Sequence, residues 1–200
     1  MKNNVKRLPA PKRKKQILKC AVKVFANSNY YRTKVADIAA EAGISEAMVY
    51  RHFPTKKAIF LAVLRHMSDR ILTFWETEID SKIGPLDKLS AMGLGYYQRM
   101  IKHPNELKVQ FLAISGIDDK EIFNQLRSDH QKYIRYIAAV IQEGIDRGEI
   151  RKDIDVHALA LAYNGAGIMM NMMRLLSIGQ KFNKSTVTYL LDHFIESIKA

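Results

Sequence analysis

The chain of 200 residues contains one cysteine, Cys20. A single thiol excludes an internal disulfide framework, and its place on the apolar side of the first predicted helix predicts a core residue. Residues 1–15 are basic and lack the apolar run of a secretory signal, so we expect a cytoplasmic protein. The most apolar segment, residues 157–176, is interrupted by two asparagines and an arginine, which favours a buried or interface helix over a membrane span.

The sequence also lacks the patterns that mark a catalytic site. It contains no phosphate-binding glycine loop, nucleophile elbow or zinc-helix motif. Asp153, Asp155 and His157 are residue types that bind metals, but acidic residues just before a helix more often cap it. Strand patterns and internal repeats are absent as well. We therefore expect an all-α protein that is not an enzyme and that holds neither a metal nor a cofactor.

Acidic residues are scarce in the first third of the chain. Residues 1–66 contain 15 Lys and Arg but 3 Asp and Glu, whereas residues 67–200 contain 17 of each kind, so the whole net charge of +12 lies in the first section. A basic section attracts the phosphates of DNA through counterion release. The alternative, a surface that is basic only for solubility, is disfavoured by the motif that this section contains.

The motif is TKVADIAAEAGISEAMVYRHFPTK, residues 33–56, which predicts two short helices joined by a tight turn. Thr33 is predicted to cap the first helix, whose apolar residues fall on one face. Gly43 ends that helix because glycine adopts the positive φ that the turn needs. Ser45 is predicted to cap the second helix. That helix then exposes the residues that would enter a DNA groove, which are Glu46, Ala47, Tyr50, Arg51 and His52.

This motif resembles the signature of the TetR family of bacterial transcription regulators. The matching positions are Thr33, Ile38-Ala39, Ala42 to Ser45, Tyr50, His52-Phe53 and Lys56. The resemblance implies an all-α fold with an amino-terminal three-helix helix-turn-helix domain and a carboxy-terminal helical ligand-binding and dimerisation domain. It also implies contacts with the backbone of operator DNA at Thr33, Lys34, Tyr50, His52 and Lys56. Base contacts are expected on the exposed edge of the second helix, from Ser45, Ala47 and Arg51.

We predict three sections along the chain. Residues 1–11 form a flexible basic arm, residues 12–56 the helix-turn-helix DNA-binding domain, and residues 57–200 the helical regulatory and dimerisation domain. Within these sections the periodicity of apolar residues predicts helices at 12–27, 55–79, 86–102, 106–115, 121–144, 155–178 and 185–199.

Two of the predicted helices carry apolar stripes that suit pairing with a second copy. The first stripe is a strip of small side chains, and the second has the i, i+3, i+4 spacing of a helix interface. The resemblance implies a homodimer built by these last two helices, although both stripes would also suit packing within one subunit. The predicted interface residues are Ala158, Ala162, Ala166, Val187, Leu191, Phe194 and Ile195.

The middle helices carry side chains that suit an adaptable apolar pocket. Asn164 is predicted to orient a ligand by a hydrogen bond, among the aromatic and methionine residues Trp75, Tyr96, Met100, Phe111, Tyr163 and Met170. The alternative for these residues is an ordinary core. Gly93, Gly95, Gly165 and Gly167 would either reduce bulk around a cavity or permit tight helix packing.

These features together predict a TetR-like repressor. It would bind operator DNA as a dimer, and an apolar or amphipathic small-molecule inducer would release it. An alternative is a DNA-binding dimer that is controlled by a protein partner or that lacks a ligand switch, and an enzyme with a helical body is a third class. A closed apolar cavity would favour the first reading, whereas convergent titratable side chains would favour the enzyme.

Overall fold

The computed structural model describes residues 8–79, 81–178 and 183–200, and in these ranges the chain is helical apart from turns and one isolated antiparallel bridge between Ile150 and Lys199. α4 continues into one π-helical turn, Phe74–Glu78. The helices in this part of the chain are α1 (Ala10–Arg32), α2 (Val35–Ala42), α3 (Glu46–Tyr50), α4 (Lys56–Thr73), α5 (Pro85–Lys102), α6 (Pro104–Ile114), α7 (Lys120–Asp146), α8 (Val156–Leu175) and α9 (Lys184–Ile198).

The chain packs as two units. We call Met1–His66 with Lys108–Gln125 the head, and Met67–Leu107 with Leu126–Ala200 the body. Three helices, α4, α6 and α7, begin in one unit and end in the other. The predicted division between residues 56 and 57 concerns function rather than packing, and it stays a prediction.

The core of the head is built by the helices of the predicted motif. Ile38 and Ala39 of α2 and Val49 of α3 are buried, as the apolar spacing predicted. Gly43 has φ 64° and turns the chain after α2, while the Ile44 N–H donates to the Ala39 carbonyl at 3.0 Å. A left-handed residue closed by such a bond is the usual end of a helix. The predicted turn is therefore confirmed in its local geometry.

Three local predictions at the start of the chain need correction. The described part of α1 begins at Ala10, within the predicted arm of residues 1–11, and residues 1–7 of that arm lie outside the described residues. α1 also passes the predicted end at residue 27 and reaches Arg32, with a break at Asn29, where φ is 62°. Thr33 is the C-cap position of α1, and Lys34 rather than Thr33 is the N-cap position of α2.

The core of the body lies among α4, α5, α7, α8 and α9. Trp75 is buried in it, with its ring centroid 5.6 Å from those of Tyr133 and Tyr136. Gly95 of α5 permits a close approach, because a Cβ there would lie 2.1 Å from the Phe74 ring. Tight helix packing therefore accounts for Gly95.

The last predicted helices form with nearly the predicted bounds. Asp155 caps α8, since its Oδ1 accepts from the backbone N–H groups of His157 and Ala158 at 2.9 and 3.0 Å. Asp153 instead faces Arg151. Across the described residues, no group of three or more His, Cys, Asp or Glu side chains is arranged to hold a metal ion. None of the described helices has the length and apolar character that a membrane crossing requires.

Candidate DNA-binding surface and ligand cleft

The exposed edge of α3 carries the residues predicted to read DNA. Ser45 caps the helix, because its Oγ accepts from the Met48 N–H at 3.3 Å. Ala47 and Arg51 are exposed, Tyr50 is 47% exposed, and His52 is half-buried. Val49 points inward and is fully buried, which holds the opposite edge of this short helix against the core. The polar edge is thus exposed to solvent.

α1 holds the end of α2 through contacts that the sequence pattern did not indicate. The Gln16 amide donates to the Ala42 carbonyl at 3.0 Å, and Lys23 pairs with Glu41 at 2.7 Å. Cys20 is half-buried rather than in the core, with its Sγ 3.6 Å from the Glu41 carbonyl oxygen. These contacts satisfy carbonyl groups at the end of α2, where an α-helix has no partners of its own.

Two residues predicted to contact phosphate differ in exposure. Lys34 is exposed at the start of α2, where its N–H donates to Asp37 at 2.9 Å. Thr33 is 2% exposed, and its hydroxyl donates to the Asn29 carbonyl at 2.6 Å. This placement favours a structural role for Thr33 and leaves Lys34 available to a phosphate.

Lys56 is held at the broken end of α1. Its ammonium group donates to the carbonyls of Tyr30, Tyr31 and Thr33 at 2.8, 3.2 and 3.0 Å, and it lies 4.7 Å from the Tyr30 ring centroid. An ammonium group has three donors, and these carbonyls take all three. The structure thus gives Lys56 a capping role, which its predicted place in the phosphate-contacting set did not include.

We expect Lys56→Ala to destabilise the head. The substitution leaves three carbonyl groups at the end of α1 without their charged donor, which should lower the free energy of unfolding by about 1 to 3 kcal/mol. Urea unfolding measures this change. The matched variant Lys34→Ala should keep the wild-type stability but flatten the salt dependence of DNA binding by roughly one charge. The reverse result, a stable Lys56 variant with a flatter salt dependence, would restore Lys56 as a phosphate contact.

Within the head, a second lysine of α4 joins the start of that helix to the connection between α6 and α7. Lys57 pairs with Asp119 at 3.1 Å and with Glu121 at 2.6 Å, and the Tyr31 hydroxyl donates to the Ser115 carbonyl at 3.4 Å. Hydrogen bonds to Glu121 and Asp119 raise the pKa of Lys57 above its ordinary value, and the bond from Lys57 lowers the pKa of Asp119. Lys57 and Asp119 are therefore both charged at neutral pH. We call this set of contacts the Lys57 link.

One face of α8 is apolar and exposed along its length. Leu161 is 46% and Met169 48% exposed, and a Cβ added at Gly165 would meet nothing within 4 Å. The predicted strip of small residues lies on this same face, with exposed side chains at Ala158, Ala162 and Ala166. A contiguous exposed apolar face of this kind marks an interaction surface.

The stripe of α9 that was predicted to pair between subunits lies instead against the body's own core. Val187 is fully buried, and the Phe194 ring centroid lies 5.5 Å from that of Tyr163. Ile195 packs on the same core, and Leu191 reaches α5 beside Gly93. The exposed apolar residues of α9 are others, Tyr189 at 70% and Leu190 at 45%.

A cleft of about 330 Å³ opens in the body between the end of α4 and α5. Trp75 and Tyr96, both predicted ligand residues, line it together with basic and acidic side chains at its mouth. Burial lowers the pKa of His103, which favours the neutral imidazole there. The charged or polar lining residues include Asp69, Arg70, Glu78, Gln98, Arg99, Lys102 and His103.

The charged mouth is held by one carboxylate. Glu106 of α6 accepts from Arg70 at 3.0 Å and also from Arg99. The Glu106 carboxylate orients both guanidinium groups, because a carboxylate and a guanidinium group pair in a preferred planar geometry. Sequence reasoning missed this cluster, since its members lie on three helices and share no spacing pattern.

The other predicted ligand residues do not line the cleft. Met100 is buried, and Met170 is half-buried on α8. Tyr163 already donates to the Leu89 carbonyl at 2.6 Å, and Asn164 lies 3.4 Å from a His130 ring nitrogen. Phe111 belongs to the head. Trp75 and Tyr96 are thus the members of the predicted set that the structure places together at the cleft.

Comparison with known proteins is consistent with this geometry. A family model described as bacterial regulatory proteins, tetR family, matches residues 17–63. The transcriptional repressor KstR2 of Mycolicibacterium smegmatis is 25% identical over 144 residues, which are 72% of this chain and 70% of that protein. The fatty acid metabolism regulator protein of Bacillus subtilis is 26% identical over 143 residues, which are 70% of this chain and 72% of the relative.

The fold is shared with solved regulators. FadR from Bacillus subtilis, in a crystal structure with stearoyl-CoA, matches with a TM-score of 0.79 at 20% identity, over 91% of this chain and 95% of that chain. The match to the family model identifies residues 17–63 as a helix-turn-helix DNA-binding domain. The chain belongs to the TetR family of bacterial transcriptional regulators. The predicted all-α fold is confirmed in the described residues, and the relatives with which the chain aligns are transcriptional repressors and regulators.

Proposed function

We propose that this protein binds operator DNA in the cytoplasm as a homodimer and is released by an amphipathic small molecule bound in the body. The observation that carries the DNA-binding part is the exposed polar edge of α3, backed by the buried Val49. The unit that carries this edge also holds the excess of basic residues in the sequence. The edge supplies groups for base contact and the basic surface supplies affinity for phosphates.

Within the edge, Arg51 is the residue suited to sequence reading. An exposed guanidinium group binds the O6 and N7 atoms of guanine through two parallel hydrogen bonds. Glu46 is exposed beside it and would either accept from a cytosine amino group or favour the positive start of α3. Ser45, Ala47, Tyr50 and His52 complete the proposed DNA surface, and Lys34 supplies a phosphate contact at the start of α2.

Arg51→Ala should cost about 1 to 3 kcal/mol of operator binding and relax the preference at one base pair of each half-site. Fluorescence anisotropy with the operator and with single-base variants of it measures both effects. Lys34→Ala is the matched control, because a lost phosphate contact weakens binding to operator and random DNA alike. Uniform weakening across all sequences for the Arg51 variant would make Arg51 a phosphate contact instead.

The dimer is proposed from the exposed face of α8. Helix-turn-helix proteins place two heads in successive major grooves, so operator binding requires a pair of subunits. Leu161, Gly165 and Met169 offer an apolar surface with room for a close helix. Tyr189 and Leu190 of α9 are the exposed apolar residues that would extend it, in place of the buried stripe that the sequence predicted.

Ligand control is proposed from the cleft beside Trp75 and Tyr96. Its mouth is charged and its wall is aromatic, so it suits a molecule with one polar and one apolar end. Stearoyl-CoA, which the Bacillus subtilis FadR structure contains, is a molecule of this kind. A ligand that binds the DNA-competent arrangement less tightly than the other arrangement lowers operator affinity.

The single tryptophan allows a direct test of ligand control, because Trp75 lines the cleft. Acyl-CoA thioesters and free fatty acids of increasing length are titrated while tryptophan emission and operator anisotropy are recorded together. We expect at least one class to change the emission and release the operator at the same concentrations. Changes in emission without release would show binding that does not control the DNA.

A further inference from the structure

The interior of the body holds polar atoms that the protein itself does not satisfy. Among the described residues, Trp75 Nε1 and Asn171 Oδ1 are buried and have no hydrogen-bond partner. Trp75 is 6% exposed and Asn171 is fully buried. Such atoms are rare in folded proteins because an unmade hydrogen bond in the interior is costly, and each one needs an explanation.

Both atoms lie next to the cleft. Trp75 lines the cleft directly. Asn171 is connected to it through Tyr96, which lines the cleft and whose hydroxyl accepts from Asn171 Nδ2. The indole therefore belongs to a residue of the cleft, in the π-helical turn after α4, and the amide belongs to a residue of α8 that is bonded to the cleft through Tyr96.

The two unsatisfied atoms have complementary chemistry. The indole N–H is a donor only, and the amide oxygen is an acceptor only. A hydrocarbon chain leaves both unsatisfied, whereas a hydroxyl or amide group both accepts and donates. The interior thus distinguishes an oxygenated amphiphile from an unsubstituted chain.

We infer that the inducer is an amphiphile whose buried part carries hydroxyl or amide groups, which accept from Trp75 Nε1 and donate to Asn171 Oδ1. This inference rests on the proposed ligand control and narrows the class of ligand. Lys102, beside the Arg70 and Arg99 guanidinium groups that share Glu106, suits a carboxylate at the other end of the molecule. Hydroxylated fatty acids therefore serve as probes.

The test compares dodecanoate with its β-hydroxy and ω-hydroxy derivatives. We expect at least one hydroxylated probe to bind the wild-type protein about tenfold more tightly than dodecanoate, measured by tryptophan emission and by calorimetry. Asn171→Leu has a similar volume and removes the amide, so it should abolish this preference and leave dodecanoate binding equal or tighter. The substitution also removes the hydrogen bond that Asn171 Nδ2 donates to the Tyr96 hydroxyl, so circular dichroism and thermal unfolding check that the variant is folded.

Two further variants complete the design. Asn164→Leu is the control, because the Asn164 amide already faces His130 and its loss should leave the preference unchanged. Trp75→Phe removes the indole N–H and keeps an aromatic ring, and calorimetry should show the preference reduced. Trp75→Phe also tests the inference if the Asn171→Leu variant does not fold.

The outcomes separate this inference from the proposed function. Equal affinity for dodecanoate and for both hydroxylated probes in the wild type would overturn the inference and leave ligand control intact. A preference that survives both Asn171→Leu and Trp75→Phe would also overturn it, since these atoms would then bind solvent only. If no fatty acid or acyl-CoA binds at all, ligand control fails and the inference fails with it.

Discussion

Met169→Glu should convert the protein into a monomer that binds operator at least a hundredfold more weakly. Met169 is 48% exposed on the apolar face of α8, so the charge is solvated in a single subunit and the fold should tolerate it. In a dimer built on this face the same carboxylate would be buried without a partner, at a cost of about 3 to 5 kcal/mol. Operator binding falls because one head cannot occupy two half-sites. Analytical ultracentrifugation and anisotropy measure the two effects.

Ile101→Glu is the matched control. Ile101 is 45% exposed on α5, outside the α8 face, so the same charge there should leave both assembly and operator binding unchanged. Gly165→Leu tests the face by size, because a subunit alone has room at this position while an approaching helix would not. A Met169 variant that stays dimeric would move the interface away from α8.

The local features of the fold were predictable where neighbouring residues decide them. The turn at Gly43 and the caps at Ser45 and Asp155 follow from the few residues around them, and each has the expected geometry. The cap at Thr33 was misplaced by one residue, because α1 continues past its last periodic residue and breaks at Asn29. A break of that kind depends on packing rather than on spacing.

The tertiary features were less predictable, because apolar periodicity identifies a buried face without naming what covers it. The α9 stripe with Phe194 has the spacing of a helix interface, yet α5 and α8 of its own body cover it. The ammonium groups of Lys56 and Lys57 meet partners on distant segments, and both lysines lie in one basic stretch with similar spacing. The spacing pattern therefore does not distinguish the lysine that caps α1 from the lysine that pairs with the α6–α7 connection.

The unsatisfied atoms beside the cleft belong to the same class of feature. From the sequence alone, Asn171 is an interruption that argues against a membrane span, and Trp75 is a predicted residue of an apolar pocket. The packing of α4, α5 and α8 buries both polar atoms and leaves each without a hydrogen-bond partner. A buried polar atom without a partner is a property of the fold, so no sequence pattern predicts it.

Lys57→Met should uncouple the ligand from the DNA. The Lys57 link joins the start of α4 to the connection between α6 and α7, and both of those helices have their other ends in the body. A shift of α6 or α7 caused by a ligand therefore reaches the start of α4 through this link. Without it, operator binding should stay within about threefold of wild type, while the inducer should no longer release the DNA.

Reciprocity makes this prediction quantitative. An inducer that weakens operator binding tenfold must bind about tenfold less tightly to the operator complex, a difference of about 1.4 kcal/mol. In Lys57→Met we expect the ratio of the two inducer affinities, measured by Trp75 emission with and without operator, to approach one. Lys23→Met is the control, because it removes the same charge and an ion pair from the head, Lys23 with Glu41, without touching the α6–α7 connection. If both variants keep the tenfold ratio, the coupling runs through α4 itself and not through the Lys57 link.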